Sequence, residues 1–280
     1  MRLAGHCRNP QGKFAIKPGP FDRQSWKRYT ASCDACGVEW GLYVTPNHDD
    51  DKLLPLNESV TAQDIHDAAE RIADGIYRSP CPPSIPLSEL TGCDVFCKLD
   101  LLQRTGSFKE RGARNALLLL DESQKKRGVV AASAGNHALG LAYHGKLLKI
   151  PVTVVMPRFA PLVKVATCRR LGANVLLYGE TFEEAWQRVV EIASRDGLRL
   201  IHGFDDAEII AGQGTAAVEI LEDVPDADAI VVPTGGAGLL AGVAIAAKAQ
   251  RPDIKIIAVE AAAAASFTAS LAAGKPVNAP

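Results

Sequence analysis

The sequence predicts an α/β protein built on doubly wound parallel sheets. Two observations carry that expectation. Short, uninterrupted apolar runs at 129–132, 152–156 and 230–232 lack an alternating polar face, as strands covered on both sides do. Helical patterns separate these runs, and two of them lead through glycine-rich turns into the next helix.

Residues 1–57 stand apart from this pattern. They hold Pro10, Pro18, Pro20, Pro46 and Pro55, the acidic run Asp49-Asp50-Asp51 and no long periodic segment, which reads as an N-terminal extension. A helix is expected from Thr61, with Ile65, Ala68, Ala69, Ile72 and Ile76 on one face and Thr61-x-x-Asp64 as its cap. Ser79-Pro80-Cys81-Pro82-Pro83 stops it. Alternation then begins: a strand at 95–99, a helix at 107–120, a strand at 129–132 and a helix at 136–148. Further strands are expected at 152–156, 175–178, 198–202, 230–232 and 254–259, with helices including 182–194 and 214–221 between them.

Composition narrows the function classes. Apolar residues make up 47% and charged residues 22%, the balance of a soluble globular protein. Lys and Arg total 31 against 32 Asp and Glu, so no basic surface points to nucleic acid or to a membrane. The first twenty residues carry Arg2, Arg8, Lys13 and Lys17 without an apolar core, and no run approaches a membrane span; a cytoplasmic protein is expected. Seven irregularly spaced cysteines argue against a disulfide framework. Cys33-x-x-Cys36 is half of a zinc knuckle, but only His6 and Cys7 lie nearby, and no metal is expected.

Three local features carry chemistry. Lys109 sits in Thr105-Gly106-Ser107-Phe108-Lys109-Glu110-Arg111-Gly112-Ala113, between a strand pattern and a helical one. It is either a snorkelling surface lysine or an amine whose pKa is lowered by apolar surroundings, ready to form a Schiff base. Ser133-Ala134-Gly135-Asn136-His137 follows one strand, and its serine, asparagine and backbone N–H groups suit a carboxylate. Gly235-Gly236-Ala237-Gly238-Leu239 follows another and suits a phosphate, glycines letting N–H groups approach an oxyanion. The second loop admits a rival reading. Gly236-Ala237-Gly238-Leu239-Leu240-Ala241 matches a dinucleotide fingerprint, and Glu260 follows 22 residues past Gly238, where a ribose-binding acid would sit.

Together, Ser107-Phe108-Lys109-x-Arg111-Gly112-Ala113, Ser133–His137 and the glycine loop resemble the fold-type II pyridoxal-phosphate enzymes, and within them the serine/threonine dehydratases (threonine ammonia-lyases). Ala211-Gly212-Gln213-Gly214-Thr215 and Ile257-Ala258-Val259-Glu260 add to the likeness, which spans residues 60–280. It implies two parallel-sheet domains of the tryptophan synthase β-like kind, C-terminally incomplete. The large, cofactor-binding one would take 58–127 and 206–280, and the small, substrate-side one 128–205.

The resemblance also implies roles. Lys109 would hold pyridoxal 5'-phosphate as a Schiff base and remove the substrate's α-proton, with Phe108 against the ring and Asn136 on its O3′. Gly235, Gly236, Ala237, Gly238 and Leu239 would bind the phosphate. Ser133, Ala134, Gly135, Asn136 and His137 would receive the carboxylate of a small amino acid, L-threonine or L-serine, which loses water and then ammonia. Ala134 stands where related serine racemases carry an acid/base serine, so elimination is expected over racemisation. Glu260 matches a metal ligand of racemase-like members, but Ser266 stands at its partner position. A homodimer or homotetramer is implied, as is a later segment that gives a hydroxyl or thiol to the pyridine nitrogen. A chain without that segment is expected as a fragment or as an impaired relative that keeps the fold.

Overall fold

The computed structural model describes residues 14–18, 27–33 and 39–44 as backbone, and residues 60–273 and 277. The elements are strands β1 (Phe14–Pro18), β2 (Lys27–Cys33) and β3 (Glu39–Val44), helices α1 (Ala62–Ile72) and α2 (Ile85–Thr91), α3 (Lys109–Leu118) and α4 (Glu122–Arg127). They continue as β4 (Val129–Ala132), α5 (Asn136–Leu148), β5 (Val152–Met156), α6 (Leu162–Arg170), β6 (Asn174–Leu177), α7 (Phe182–Asp196) and β7 (Arg199–Leu200). The rest are α8 (Ala207–Asp223), β8 (Ala229–Pro233), α9 (Gly238–Gln250), β9 (Lys255–Val259) and α10 (Ser266–Ala273).

One sheet, in the order β6-β5-β4-β7, is wholly parallel. Successive residues of β4 explain why its sequence is apolar throughout. Val129 and Ala131 join the core shared with α3 and α5, whereas Val130 and Ala132 face Ala185, Val189 and Ile192 of α7. Both faces are covered, as expected for a doubly wound sheet. The second sheet runs β1-β2-β3-β9-β8, with β8 and β9 parallel. Its core packs α1, α8 and α9 through Ile65, Leu221, Val243 and Ile256.

Three expectations need correction. Residues 14–44 contain a three-stranded antiparallel meander whose last strand pairs with β9, Leu42 opposite Val259. Strands this short alternate over too few residues to register as a long periodic segment. Residues 95–99 are extended but form only an isolated bridge, Pro83 with Phe96. The facing segment contains Pro80, Pro82 and Pro83, which offer carbonyls to Cys97 and Leu99 but no N–H in return, so a full ladder cannot form. The α8 helix begins at Ala207 rather than 214, because Asp206 accepts the N–H groups of Glu208 and Ile209 as an N-cap. The α1 cap is as expected: Thr61 and Asp64 form a reciprocal capping box. Cys36 lies outside the described residues, and Cys33 is described only as backbone.

Glycines set how the central helices cross. A Cβ on Gly212 of α8 would lie 2.5 Å from Gly112 Cα of α3, and one on Gly242 of α9 would lie 2.4 Å from Ile210 O of α8. The Ala211–Thr215 motif is therefore the place where α8 meets α3 on one side and α9 on the other, backbone against backbone. Lys109 begins α3 and the glycine loop begins α9, so these crossings fix the two relative to each other.

Candidate active site

Lys109 is the first residue of α3, with Phe108 as N-cap. Its ammonium nitrogen lies 5.3 Å from the centre of the Phe108 ring and donates to the Gly203 carbonyl at 2.5 Å. Burial lowers its pKa from 10.5 to about 8. The snorkelling alternative is thereby set aside: the amine points inward. At pH 7.5 the free-amine fraction is about 200-fold larger than for an unperturbed lysine.

Behind Lys109, α3 is clamped. The Arg111 guanidinium is fully buried; Nε and Nη2 reach Asp100 at 2.7 and 2.8 Å, and Nη1 and Nη2 reach Glu219 of α8 at 2.6 and 2.8 Å. These paired, charge-assisted bonds lock the helix register from which Lys109 projects.

The Ser133–His137 loop leaves β4 and enters α5. Ser133 Oγ accepts the N–H groups of Gly135 and Ala138 at 3.2 and 3.3 Å, which closes the turn. Ala134 is half-buried against the β4 core, while a Cβ added at Gly135 would meet nothing within 4 Å, so open space lies in front of the loop. Asn136 is exposed, and its Oδ1 accepts from Lys164 Nζ of α6 at 2.7 Å. His137 turns inward: Nε2 lies 3.3 Å from Ile201 O, Nδ1 has no hydrogen-bond partner, and burial together with the Lys109 charge pushes the pKa down to about 4. A neutral imidazole results, so this loop would bind an anion by dipoles rather than by a histidine cation.

The glycine loop follows β8. Gly235 faces open space, Ala237 adopts the left-handed conformation at φ +61°, and Gly238 starts α9. Among the described residues no backbone acceptor takes the N–H groups of Gly235, Gly236 and Ala237, and those of the first α9 turn have no partner inside the helix. Leu239 packs half-buried on the α8–α9 core.

Sequence reasoning missed the segment that joins these parts. His202-Gly203-Phe204 connects β7 to α8: Gly203 takes the Lys109 bond and lies against the His137 ring, and Phe204 packs beneath the glycine loop. A Cβ on Gly236 would come within 2.3 Å of the Phe204 ring. His202 Nδ1 accepts the N–H groups of Phe204 and Asp205, holding the turn. Only its place between strand and helix marked this segment in the sequence.

Glu260 is committed elsewhere. Its carboxylate accepts the N–H groups of Phe267 and Thr268 at 2.9 and 2.8 Å and the Thr268 hydroxyl at 2.6 Å, capping α10. The dinucleotide reading loses the acid it required. Among the described residues, no cluster of three metal-ligating side chains is present and no helix is long and apolar enough to cross a membrane.

Comparison with known proteins identifies the family. Residues 72–280 match the family model described as pyridoxal-phosphate dependent enzyme. The L-threonine ammonia-lyase of Thermotoga maritima is 45% identical over 216 residues, 77% of this chain and 54% of that relative. The catabolic L-threonine dehydratase TdcB of Escherichia coli is 43% identical over 77% of this chain and 66% of its own length. The structure of maize serine racemase superposes with a TM-score of 0.77 at 38% identity, covering 80% of this chain and 68% of that one. This chain thus spans from about half to two thirds of the length of these proteins. With this family model matched over residues 72–280, most of its length, the chain belongs to the pyridoxal-phosphate dependent enzymes.

Proposed function

We propose that this chain carries the site of a pyridoxal-phosphate dependent ammonia-lyase, which removes water and then ammonia from L-threonine or L-serine to leave a 2-oxo acid. The observation that carries the reading is Lys109: an amine with pKa near 8, turned inward against Phe108 and Gly203, on the same connecting segment that supports the glycine loop.

The residues present suit the cofactor. The amine is nucleophilic near neutral pH, and the glycine loop opens at Gly235, where an added Cβ would meet nothing within 4 Å, so an oxyanion can approach its N–H groups. Lys109 would hold pyridoxal phosphate covalently, Phe108 would lie against its ring, Asn136 would donate to its phenolic oxygen, and Gly235, Gly236, Ala237, Gly238 and Leu239 would take its phosphate. When bound, the group supplies an electron sink for the charge left at Cα.

The chain's own residues do the rest. Lys109, once released, accepts the α-proton, for which a pKa near the working pH is suited. Open space at Gly135 lets a substrate carboxylate approach the N–H groups of Ala134, Asn136 and His137 without a clash, those of Ser133 and Gly135 being taken by Val155 O and Ser133 Oγ. Lys164 holds the Asn136 side-chain carbonyl, which leaves the N–H₂ of the same amide to donate. Ala134 carries no proton to deliver to the opposite face of Cα, which favours elimination over racemisation.

The division into a large part, 58–127 with 206–280, and a small part, 128–205, is part of the same proposal. The core under β8 and β9 supports it, since its buried residues all come from 58–127 and 206–280; α3, through Ala113, Ala116 and Leu117, also packs in the core of the other sheet. We further place the protein in the cytoplasm as a homodimer or homotetramer. Exposed Ile85, Phe159 and Leu162 supply apolar surface for a second copy. Release of 2-oxobutanoate from L-threonine, or pyruvate from L-serine, by cofactor-loaded protein tests the activity. Full loading with neither product from either substrate would refute it.

A further inference from the structure

A buried glutamate–histidine pair beside Lys109 has no part in the chemistry above. Glu110 and His144 are both fully buried, with His144 Nε2 3.2 Å from Glu110 Oε2. The other carboxylate oxygen, Oε1, accepts the backbone N–H of Thr105. Thr105 opens the turn Thr105-Gly106-Ser107 that delivers the chain to Lys109, and Gly106 takes a positive φ of +82° within it. The Tyr143 ring stands edge-on to His144, centroids 4.9 Å apart.

Building on the assignment of Lys109 as the cofactor lysine, we propose that His144 is a positioning residue for it. His144 donates through Nε2 to Glu110, Glu110 holds Thr105, and the turn so fixed sets where Lys109 leaves the chain. The pair also ties the first turn of α3 to the third turn of α5, whose own first turn carries Asn136 and His137. The two helices that carry Lys109 and Asn136 are thereby held at one spacing.

Packing alone does not call for this pair. The crossing of α3 and α5 already closes tightly at Gly140, where a Cβ would lie 3.3 Å from Lys109 O and from Ala113 Cβ. A carboxylate buried beside it is costly unless its oxygens are bonded, and here each oxygen has a single donor. His144 Nδ1 has no hydrogen-bond partner among the described residues, which fits the same assignment. A bare lone pair there is tolerated better than an orphaned N–H, so Nε2 carries the hydrogen and points it at Glu110.

The test uses the full chain with pyridoxal phosphate as the probe, in His144→Leu, His144→Gln and, as a stability control in the α7 core, Val189→Ala. Two quantities are measured: hydrogen exchange at the Thr105 amide without cofactor, and the cofactor dissociation constant from its absorption. His144→Leu should speed Thr105 exchange and weaken cofactor binding at least tenfold. His144→Gln, which keeps a side-chain N–H, should return both to within threefold of the parent. Val189→Ala should lower Tm and leave both unchanged. Parent-like values in His144→Leu, or equal losses in His144→Gln and His144→Leu, would overturn the inference. Absence of cofactor uptake by the parent protein would instead refute the Lys109 assignment, and the exchange data would still decide whether His144 holds the turn.

Discussion

Gly212→Ala tests whether the helix crossing, rather than Lys109 alone, builds the site. The added Cβ would sit 2.5 Å from Gly112 Cα and 2.8 Å from Arg111 O and Gly112 N. All three are backbone atoms, so no rotamer change can relieve the contact. Carbon atoms prefer about 3.5–4.0 Å, so α3 and α8 must part by about 1 Å. Overpacking of this kind costs about 1–3 kcal/mol, and a backbone-to-backbone clash belongs at the upper end. Alanine returns about 1 kcal/mol through helix propensity, which leaves a net loss of about 2 kcal/mol. Because Lys109 rides on α3, the same shift moves its amine by about 1 Å, enough to cost on the order of 100-fold in rate. Urea unfolding and turnover on L-threonine measure the two effects. Gly135→Ala, which meets nothing within 4 Å, provides the contrast and should change stability by less than about 0.5 kcal/mol. A Gly212→Ala protein that gains about 1 kcal/mol and keeps its rate would show that propensity alone operates there, and the close crossing would be refuted.

Two further outcomes are expected. Ala237→Gly should stabilise the fold by about 0.5 kcal/mol, since relief of about 1–2 kcal/mol at φ +61° exceeds the entropy cost of glycine; a loss in urea midpoint would contradict the left-handed assignment. Lys109→Met should stabilise the cofactor-free protein at pH 7. The fall in pKa from 10.5 to about 8 means that burying the ammonium destabilises the fold fully below pH 8 and progressively less toward pH 10.5. The ceiling on the gain is about 3 kcal/mol, reduced by the partial exposure of the side chain, and it should vanish near pH 10.5. A gain independent of pH would contradict the burial.

The strands of the parallel sheet were legible because burial on both faces leaves a continuous apolar run, and β5 has the expected bounds, Val152–Met156. The placement of Lys109 and of both loops at the starts of helices was legible, because glycine and asparagine between strand and helix patterns mark such turns. What escaped was chemistry that depends on distant residues meeting. Phe204 acts by filling the space beneath Gly236, and Gly112 and Gly212 act by what they leave out; neither effect has a local pattern. The 95–99 segment misled because its propensity is that of a strand, whereas the prolines of its partner, which prevent a ladder, lie more than ten residues earlier. The bond of Asn136 to Lys164 joins α5 to α6 and leaves no trace in either segment alone.

The central claim is that Lys109 is the amine that takes up pyridoxal phosphate. Incubating the protein with the cofactor, reducing with borohydride and mapping the adduct by mass spectrometry tests this directly. The account predicts a single pyridoxyl adduct on Lys109, absent in Lys109→Ala, with an uptake rate that rises with pH through a midpoint near 8. An adduct on another lysine, or equal labelling of Lys109→Ala, would contradict it.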